Sequence, residues 1–301
     1  EPTIRRLGRG VASLVFTGLA IEVVLAPIAL FHFHKTGLYG AFANVVAIPM
    51  TTFVIMPLEA LALALDLVGI GVPFWWLAGQ GISAILALAH FVSGLPGAVS
   101  MMPEMPIWSF SAFWAGALIF GLLQTNVRYA GIPIFLIGIA GMIFAPRPDI
   151  LVTGDGKHLA LVSADGEVAL LRGKSGDFVR DMISEKAGSN AVATPIEQWP
   201  GARCSPDNCI ISVVAKSRTW TILATRSAYQ VPNMEMAAAC KRVDIVISDR
   251  WLPKTCQPKW MKADRGLLEQ TGGLAIYLTD QRVITANENR AHMPWVQAAI
   301  A

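Results

Sequence analysis

Apolar positions dominate residues 11–146, where isolated polar groups are the only interruptions. Beyond residue 146, short apolar runs alternate with charged residues and Gly/Asp turns. A bilayer-spanning helix needs about 20 apolar residues, and the first pattern supplies several. Spans are predicted over 11–33 and 38–67, joined by the turn HFHKTG at 32–37. Clear spans are also predicted over 107–123 and 130–144, about a short QTNVRY loop. The stretch 77–95 is apolar enough to span but carries Gln80, Ser83, His90 and Ser93, so lying flat in the interface as an amphipathic helix stays open. Before it, GIGVPFWW at 69–76 is a breaker followed by two tryptophans, suited to the headgroup level.

The first half is organised around LYGAFANVVAIPMTTFVIMPLEALALALD at 38–66. It is long enough to tilt, or to break near Pro49 or Pro57. Polar groups inside a span are costly and usually face protein or a wet path. Glu22, Asn44, Pro49, Thr51, Pro57 and Glu59 are therefore the intramembrane candidates, as a hydrated channel lining or as interhelical glue. Asp66 lies near a span end, within reach of the interface. His32, His34 and His90 read as interfacial or packed histidines, since none has a ligand set for a metal.

The second half reads as a soluble α/β domain. Short strands are predicted over 149–152, 158–163 and 167–172, punctuated by GDG at 154–156 and a hairpin turn ADG at 164–166. A helix follows over 177–186, then a hairpin of 209–215 with 219–225. A helix at 234–239, a buried strand at 243–247 and a terminal hairpin of 273–279 with 282–285 complete it. GDG lacks the Lys-Ser/Thr that a phosphate loop requires and reads as a turn.

Charge sharpens the division at residue 146. Ten charged residues precede it, five of each sign: Glu1, Arg5, Arg6, Arg9, Glu22, Lys35, Glu59, Asp66, Glu104 and Arg128. The net charge of +3 therefore lies in the second half, too small to argue for a polyanion partner by itself. All four cysteines, Cys204, Cys209, Cys240 and Cys256, are also there, which predicts two disulfides and an oxidising compartment. Zinc fits Cys204 and Cys209 loosely and the other pair not at all. Arg5, Arg6 and Arg9 before the first span place the N-terminus in the cytoplasm. Five spans then put the soluble domain outside, and four put it in the cytoplasm; the cysteines favour five. The first apolar segment has spanning length and the chain starts at Glu1, so further sequence is expected upstream.

Basic residues interleaved with tryptophans suit single-stranded nucleic acid. Lys157, Arg172, Arg250, Trp251, Lys254 and Lys259 are the candidates, with Lys174 and Arg180 beside the first two; the bland alternative is a solvated face shared with Asp244, Asp249 and Asp264.

The stretch FHFHKTGLYGAFANVVAIPMTTFVIMPLEA at 31–60 resembles the membrane region of the ComEC family, inner-membrane channels of bacterial DNA uptake. The likeness lies in the aromatic turn at 31–33, Ala43-Asn44, Ile48-Pro49 and Pro57, with LPGAV at 95–99 as a later landmark. Residues 150–173 and 263–295 resemble the opening and the end of that family's metallo-β-lactamase-like domain. The resemblance implies an α-helical polytopic membrane domain (1–146) followed by a degenerate metallo-β-lactamase-like domain (147–301). It implies single-stranded DNA as cargo and the bacterial inner membrane as location, so that the outside favoured by the cysteines is the periplasm. Its partners would be the lipid bilayer, the upstream part of the same protein, and periplasmic DNA-binding and cytoplasmic helicase-type competence proteins. Nuclease-type relatives would carry an H-x-H-x-D-H motif. Here the only histidines after residue 146 are His158 and His292, and DIVISDRWLPKTC at 244–256 has Arg250 and Trp251 where ligands would stand. No catalytic residue, metal or cofactor is therefore assigned. A membrane-anchored hydrolase with unusual metal ligands, and a proton-coupled small-solute transporter using Glu22 and Glu59, are the alternative functions.

Overall fold

A computed structural model describes residues 3–37, 39–173 and 175–288. Lys174, His292 and the part of the 263–295 stretch beyond residue 288 lie outside the described residues. The chain divides into two compact units, one of Glu1–Met101 with Met105–Ile143, the other of Met102–Glu104 with Phe144–Ala301.

The first unit is helical. Its elements are α1 (Thr3–Phe33), β1 (Lys35–Gly37), α2 (Gly40–Met50), a π-helical turn (Thr51–Ile55), α3 (Met56–Asp66), α4 (Val72–Ser93), β2 (Val99–Met101), α5 (Ile107–Leu122), a 3₁₀ turn (Asn126–Ala130) and α6 (Gly131–Ile143). Among the described residues, four helical stretches are long and apolar enough to cross a membrane: Val15–Phe33, Phe42–Asp66, Val72–Ser93 and Asn126–Ile143.

The prolines shape the second stretch. An α-helix through Pro57 would need a proline N–H to donate to Phe53 and would push the ring onto that carbonyl. Instead the ladder slips by one residue: the Met56 N–H reaches back to the Thr51 carbonyl, and Thr51, Ile55 and Met56 all keep right-handed helical dihedrals. The break expected near Pro49 or Pro57 is thus a single π turn inside a continuous helix.

The stretch 77–95 belongs to a longer helix, α4, which starts at Val72 because Pro73 is well placed in a first turn. Its polar groups bond back to its own carbonyls: Ser83 Oγ to Gly79 at 2.9 Å, Ser93 Oγ to His90 at 3.0 Å, and His90 Nδ1 to Leu86 at 2.8 Å. A carbonyl only accepts, so His90 carries its proton on Nδ1. By contrast α5, expected as a clear span, has 16 residues. That is about 24 Å at 1.5 Å per residue, short of a hydrocarbon core of about 30 Å. Pro106 before it and the extended Leu123 after it set those limits.

Small residues hold α5 against α6. A Cβ on Gly138 would lie 2.5 Å from the Phe113 nitrogen, and one on Gly131 2.5 Å from the Gly116 oxygen. Ser109, fully buried, donates to the Gly138 carbonyl at 2.7 Å. Close backbone approach of this kind is how helices associate in an apolar medium.

The second unit is a sandwich of two sheets with a helix on each outer face. It contains β3 (Ile150–Thr153), β4 (Leu159–Val162), β5 (Val168–Leu170), α7 (Asp177–Ala187), β6 (Thr194–Pro195), a 3₁₀ turn (Ile196–Gln198), β7 (Ala202–Cys204), β8 (Asn208–Ala215), β9 (Arg218–Thr225), α8 (Asn233–Arg242), β10 (Ile245–Ile247), β11 (Met261–Ala263), α9 (Arg265–Thr271), β12 (Gly273–Tyr277) and β13 (Arg282–Thr285). One sheet has the order β13-β12-β3-β4-β5-β6, the other β11-β10-β9-β8-β7. Residues such as Ile150, Leu161, Ile211, Trp220, Ile222, Ile245 and Ile276 form the core between them. The reverse faces are covered separately: Ala160, Val162, Val168 and Leu170 by Ile183 and Ala187 of α7, and Leu223 and Val246 by Met236 and Cys240 of α8. This explains why β4, β5 and β10 are buried on both faces, whereas β8 alternates. The three expected hairpins, β4–β5, β8–β9 and β12–β13, are all antiparallel pairs.

Both cysteine pairs are disulfides. Cys204–Cys209 joins directly opposed residues of β7 and β8, and Cys240–Cys256 ties α8 to the segment after β10. The segment Met102–Glu104 packs in this unit, with Pro103 buried at Gly188 and Glu104 paired to Lys186 at 3.6 Å.

Gly138→Leu is expected to separate α5 from α6 and lower the stability of the helical unit by about 2 kcal/mol or more, as overpacking does. Gly121→Ala, on α5 but with open space around it, should be neutral or slightly stabilising. Thermal aggregation in detergent measures both.

Candidate functional site

In the helical unit the predicted polar groups take different roles. Glu22 of α1 accepts the Gly40 N–H at 3.2 Å, so a carboxylate caps the first turn of α2. Asp66 accepts the Trp75 indole N–H at 2.8 Å and closes the turn between α3 and α4. Thr51 is satisfied by the Ala47 carbonyl at 2.8 Å. Pro49 ends α2 and Pro57 opens α3, one on each side of the π turn. Asn44 is exposed on α2, and half-buried Glu59 on α3 has no hydrogen-bond or ion-pair partner among the described residues.

In the α/β unit a second polar cluster forms at one edge of the sandwich. β9, β10 and β11 run parallel, so their C-terminal ends lie together. Thr225 at the end of β9 donates to Ser248 Oγ just after β10 at 3.0 Å, and Ser248 Oγ also accepts the Arg250 N–H at 3.2 Å. Next in line is Asp249. Arg172, from the segment after β5, donates to its Oδ2 at 2.8 Å, and Arg250 Nε lies 3.6 Å from its Oδ1. Arg250 is fixed by donating to the Ala228 and Tyr229 carbonyls. The GDG turn packs directly on this cluster: Gly156 has φ +67°, and a Cβ there would lie 2.8 Å from the Asp249 Cα. Only glycine suits both the dihedral and the approach.

Asp155 in that turn accepts from Thr153 Oγ1 and from the Lys157 N–H at 3.0 Å. Burial works to raise its pKa but is outweighed by these two bonds and by the charges of His158 and Lys157, so the pKa is lowered. His158 Nδ1 lies 3.1 Å from Ser175 Oγ, and that hydroxyl donates to the Arg172 carbonyl at 2.7 Å. The serine proton is therefore committed to a carbonyl, Nδ1 is the donor, and the pair is not set up as a nucleophile and its base.

Of the basic and aromatic candidates, Lys157, Arg172, Arg250 and Trp251 come together at this edge. Trp251 is 68% exposed, with its indole laid against Gly266. Lys254 sits in the connection leading away from β10. Lys259 lies at the opposite edge, its N–H bonded to the Val243 carbonyl before β10 at 3.1 Å. There Arg218 pairs with buried Asp244 at 3.0 Å and covers Trp220, which packs on Trp260. Thr225, Ser248, Asp249 and Ser175 were not among the sequence candidates; a Ser-Asp pair directly after a buried strand was their one signal.

A two-metal hydrolytic centre does not fit these residues. Asp249 has guanidinium groups on it, and two cations leave no room for a divalent ion. Among the described residues no group of three or more His, Cys, Asp or Glu converges to hold a metal.

Comparison with known proteins finds a family likeness within the first unit. Residues 2–126 match the family described as Competence protein. An 80-residue stretch is 32% identical to the Uncharacterized protein YcaI of Escherichia coli strain K12, covering 26% of this chain and 11% of that relative. The chain thus aligns with only a small part of that longer protein. No solved structure matches the chain.

Arg172→Ala should leave Asp249 paired only with Arg250 and destabilise the α/β unit by about 2 kcal/mol, less than a fully buried pair would lose. Adding Asp249→Asn should recover part of that loss, as read by pulse proteolysis. Because the Asp155 pKa is lowered in the fold, its ionised form adds stability above the ordinary carboxylate value of about 3.9, lost as pH falls through the lowered one. The stability gap between the parent and Asp155→Asn should therefore close below about pH 4. Hydrogen exchange in the β3–β4 turn measures it.

Proposed function

We propose that this chain is part of a ComEC-like channel that carries single-stranded DNA across the bacterial inner membrane during natural transformation. The observation that carries the reading is the competence-family match over residues 2–126. Several features support it. The matched segment contains α1 to α5, and its second helix holds a π turn between Pro49 and Pro57, flanked by Asn44 and Glu59. Helical irregularities of this kind recur where membrane helices line a pathway.

The α/β unit, in this reading, is a metallo-β-lactamase-like domain that has lost its metals. Its helix–sheet–sheet–helix layering suits that fold, and Arg172 and Arg250 supply the positive charge an ion would otherwise provide. Such an edge binds a polyanion without cutting it. Lys157, Arg172 and Arg250 would meet phosphates and exposed Trp251 would stack on a base. Two disulfides support an oxidising compartment, and with it a periplasmic domain on the side where DNA arrives. Periplasmic DNA-binding and cytoplasmic helicase-type competence proteins would be its working partners.

Cells deleted for the full-length protein should fail to be transformed and regain transformation with the intact gene. Transformation at the parental frequency in the deletion strain would overturn the reading. In purified protein, Lys157→Ala with Arg250→Ala should weaken single-stranded DNA binding and lower its salt slope by about 1.4, at about 0.7 per phosphate contact.

A further inference from the structure

A small element of the helical unit fixes how that unit can be threaded through a membrane. β1 lies between α1 and α2, and β2 lies between α4 and α5. The two pair antiparallel, Lys35 opposite Met101, Thr36 opposite Ser100 and Gly37 opposite Val99. The same two connections are tied again where the Tyr39 hydroxyl donates to the Pro96 carbonyl at 3.1 Å. The ribbon is non-helical backbone carrying Lys35, set between long apolar helices. Backbone of that kind does not face hydrocarbon. Both connections therefore lie in water or among headgroups, on one face of the membrane.

Between them the chain makes two passages, the continuous helix of α2, the π turn and α3, and then α4. A chain that leaves a membrane face and returns to it has crossed an even number of times. The first passage has 27 residues, 11 and 5 and 11 in its three parts, and the second has 22. At 1.5 Å per residue these are about 40 Å and about 33 Å, both enough for the hydrocarbon core. A surface helix needs a strongly polar side; the first passage has none, and on α4 Ser83, His90 and Ser93 turn back onto their own helix's carbonyls. Phe42, Val46, Phe53, Met56, Leu61 and Leu63 are exposed on the first, and Trp76, Ile82, Leu86 and Phe91 on the second.

We propose that α4 crosses the membrane antiparallel to α2–α3, and that the β1–β2 ribbon is the clasp holding their ends on one face. The 67–71 connection lies at the opposite face. The inference rests on the helical unit being a membrane unit and not on what the protein transports.

The test is single-cysteine labelling of the full-length protein in intact cells and in inverted vesicles, its native disulfides left oxidised. Thr36→Cys, Ser100→Cys and Leu67→Cys are labelled with a membrane-impermeant maleimide. Thr36→Cys and Ser100→Cys are expected to label from one face, and Leu67→Cys only from the other. Leu67→Cys labelling from the same face as the ribbon positions would overturn the crossing of α4. Ribbon positions labelling from opposite faces would overturn the clasp. The double variant Thr36→Cys/Ser100→Cys guards against misinserted single variants: it should oxidise to a crosslink that holds the fragments together after proteolysis within 67–71, and no crosslink counts against the clasp.

Discussion

A polar group on an apolar helix needs a partner within its own chain, because lipid offers none, and the helical unit is arranged around that requirement. Glu22 caps α2, Asp66 closes the α3–α4 turn, Ser109 bonds to α6, and Thr51, Ser83, His90 and Ser93 turn back onto their own helices. The π turn meets the same requirement for the backbone. Pro57 has no proton to give, so the hydrogen-bond ladder is renumbered by one residue rather than broken. Glu59 is one exception, half-buried and without a hydrogen-bond or ion-pair partner among the described residues. An exception inside lipid marks a place where water or another segment of protein is expected.

In the α/β unit the same logic runs through charge. Asp249 sits where two turns and two strand ends converge, and guanidinium groups neutralise it. An ion pair of this type keeps the sandwich edge together and leaves surplus positive charge beside the exposed indole of Trp251. A metal would have given water-activating chemistry at that edge. Arginines give affinity for an anion, as the proposed contact with single-stranded DNA requires.

Much of this architecture was legible from local pattern. The Gly turn at 164–166 and the alternation through 209–225 announce hairpins, and the run before Ser248 announces a strand buried on both faces. The ribbon was not legible, because its two three-residue strands are joined through pairs such as Lys35 and Met101, far apart in sequence and without apolar alternation. β7, β11 and α9 were missed for the same shortness. The π turn reads as a break because sequence shows the prolines but not the slip that accommodates them. The site divides likewise. Lys157, Arg172, Arg250 and Trp251 carry their chemistry in their identity, whereas the Arg172–Asp249 pair joins residues 77 positions apart. Composition also placed Lys259 with this set, though strand direction carries it to the other edge.

Translocation itself is tested most directly by nuclease protection. The full-length protein would be reconstituted in liposomes and supplied with labelled single-stranded DNA, and nuclease would then be added outside. A conducting channel predicts DNA that becomes resistant to nuclease and is released when the liposomes are opened with detergent. DNA that binds the protein yet stays wholly sensitive would contradict the account.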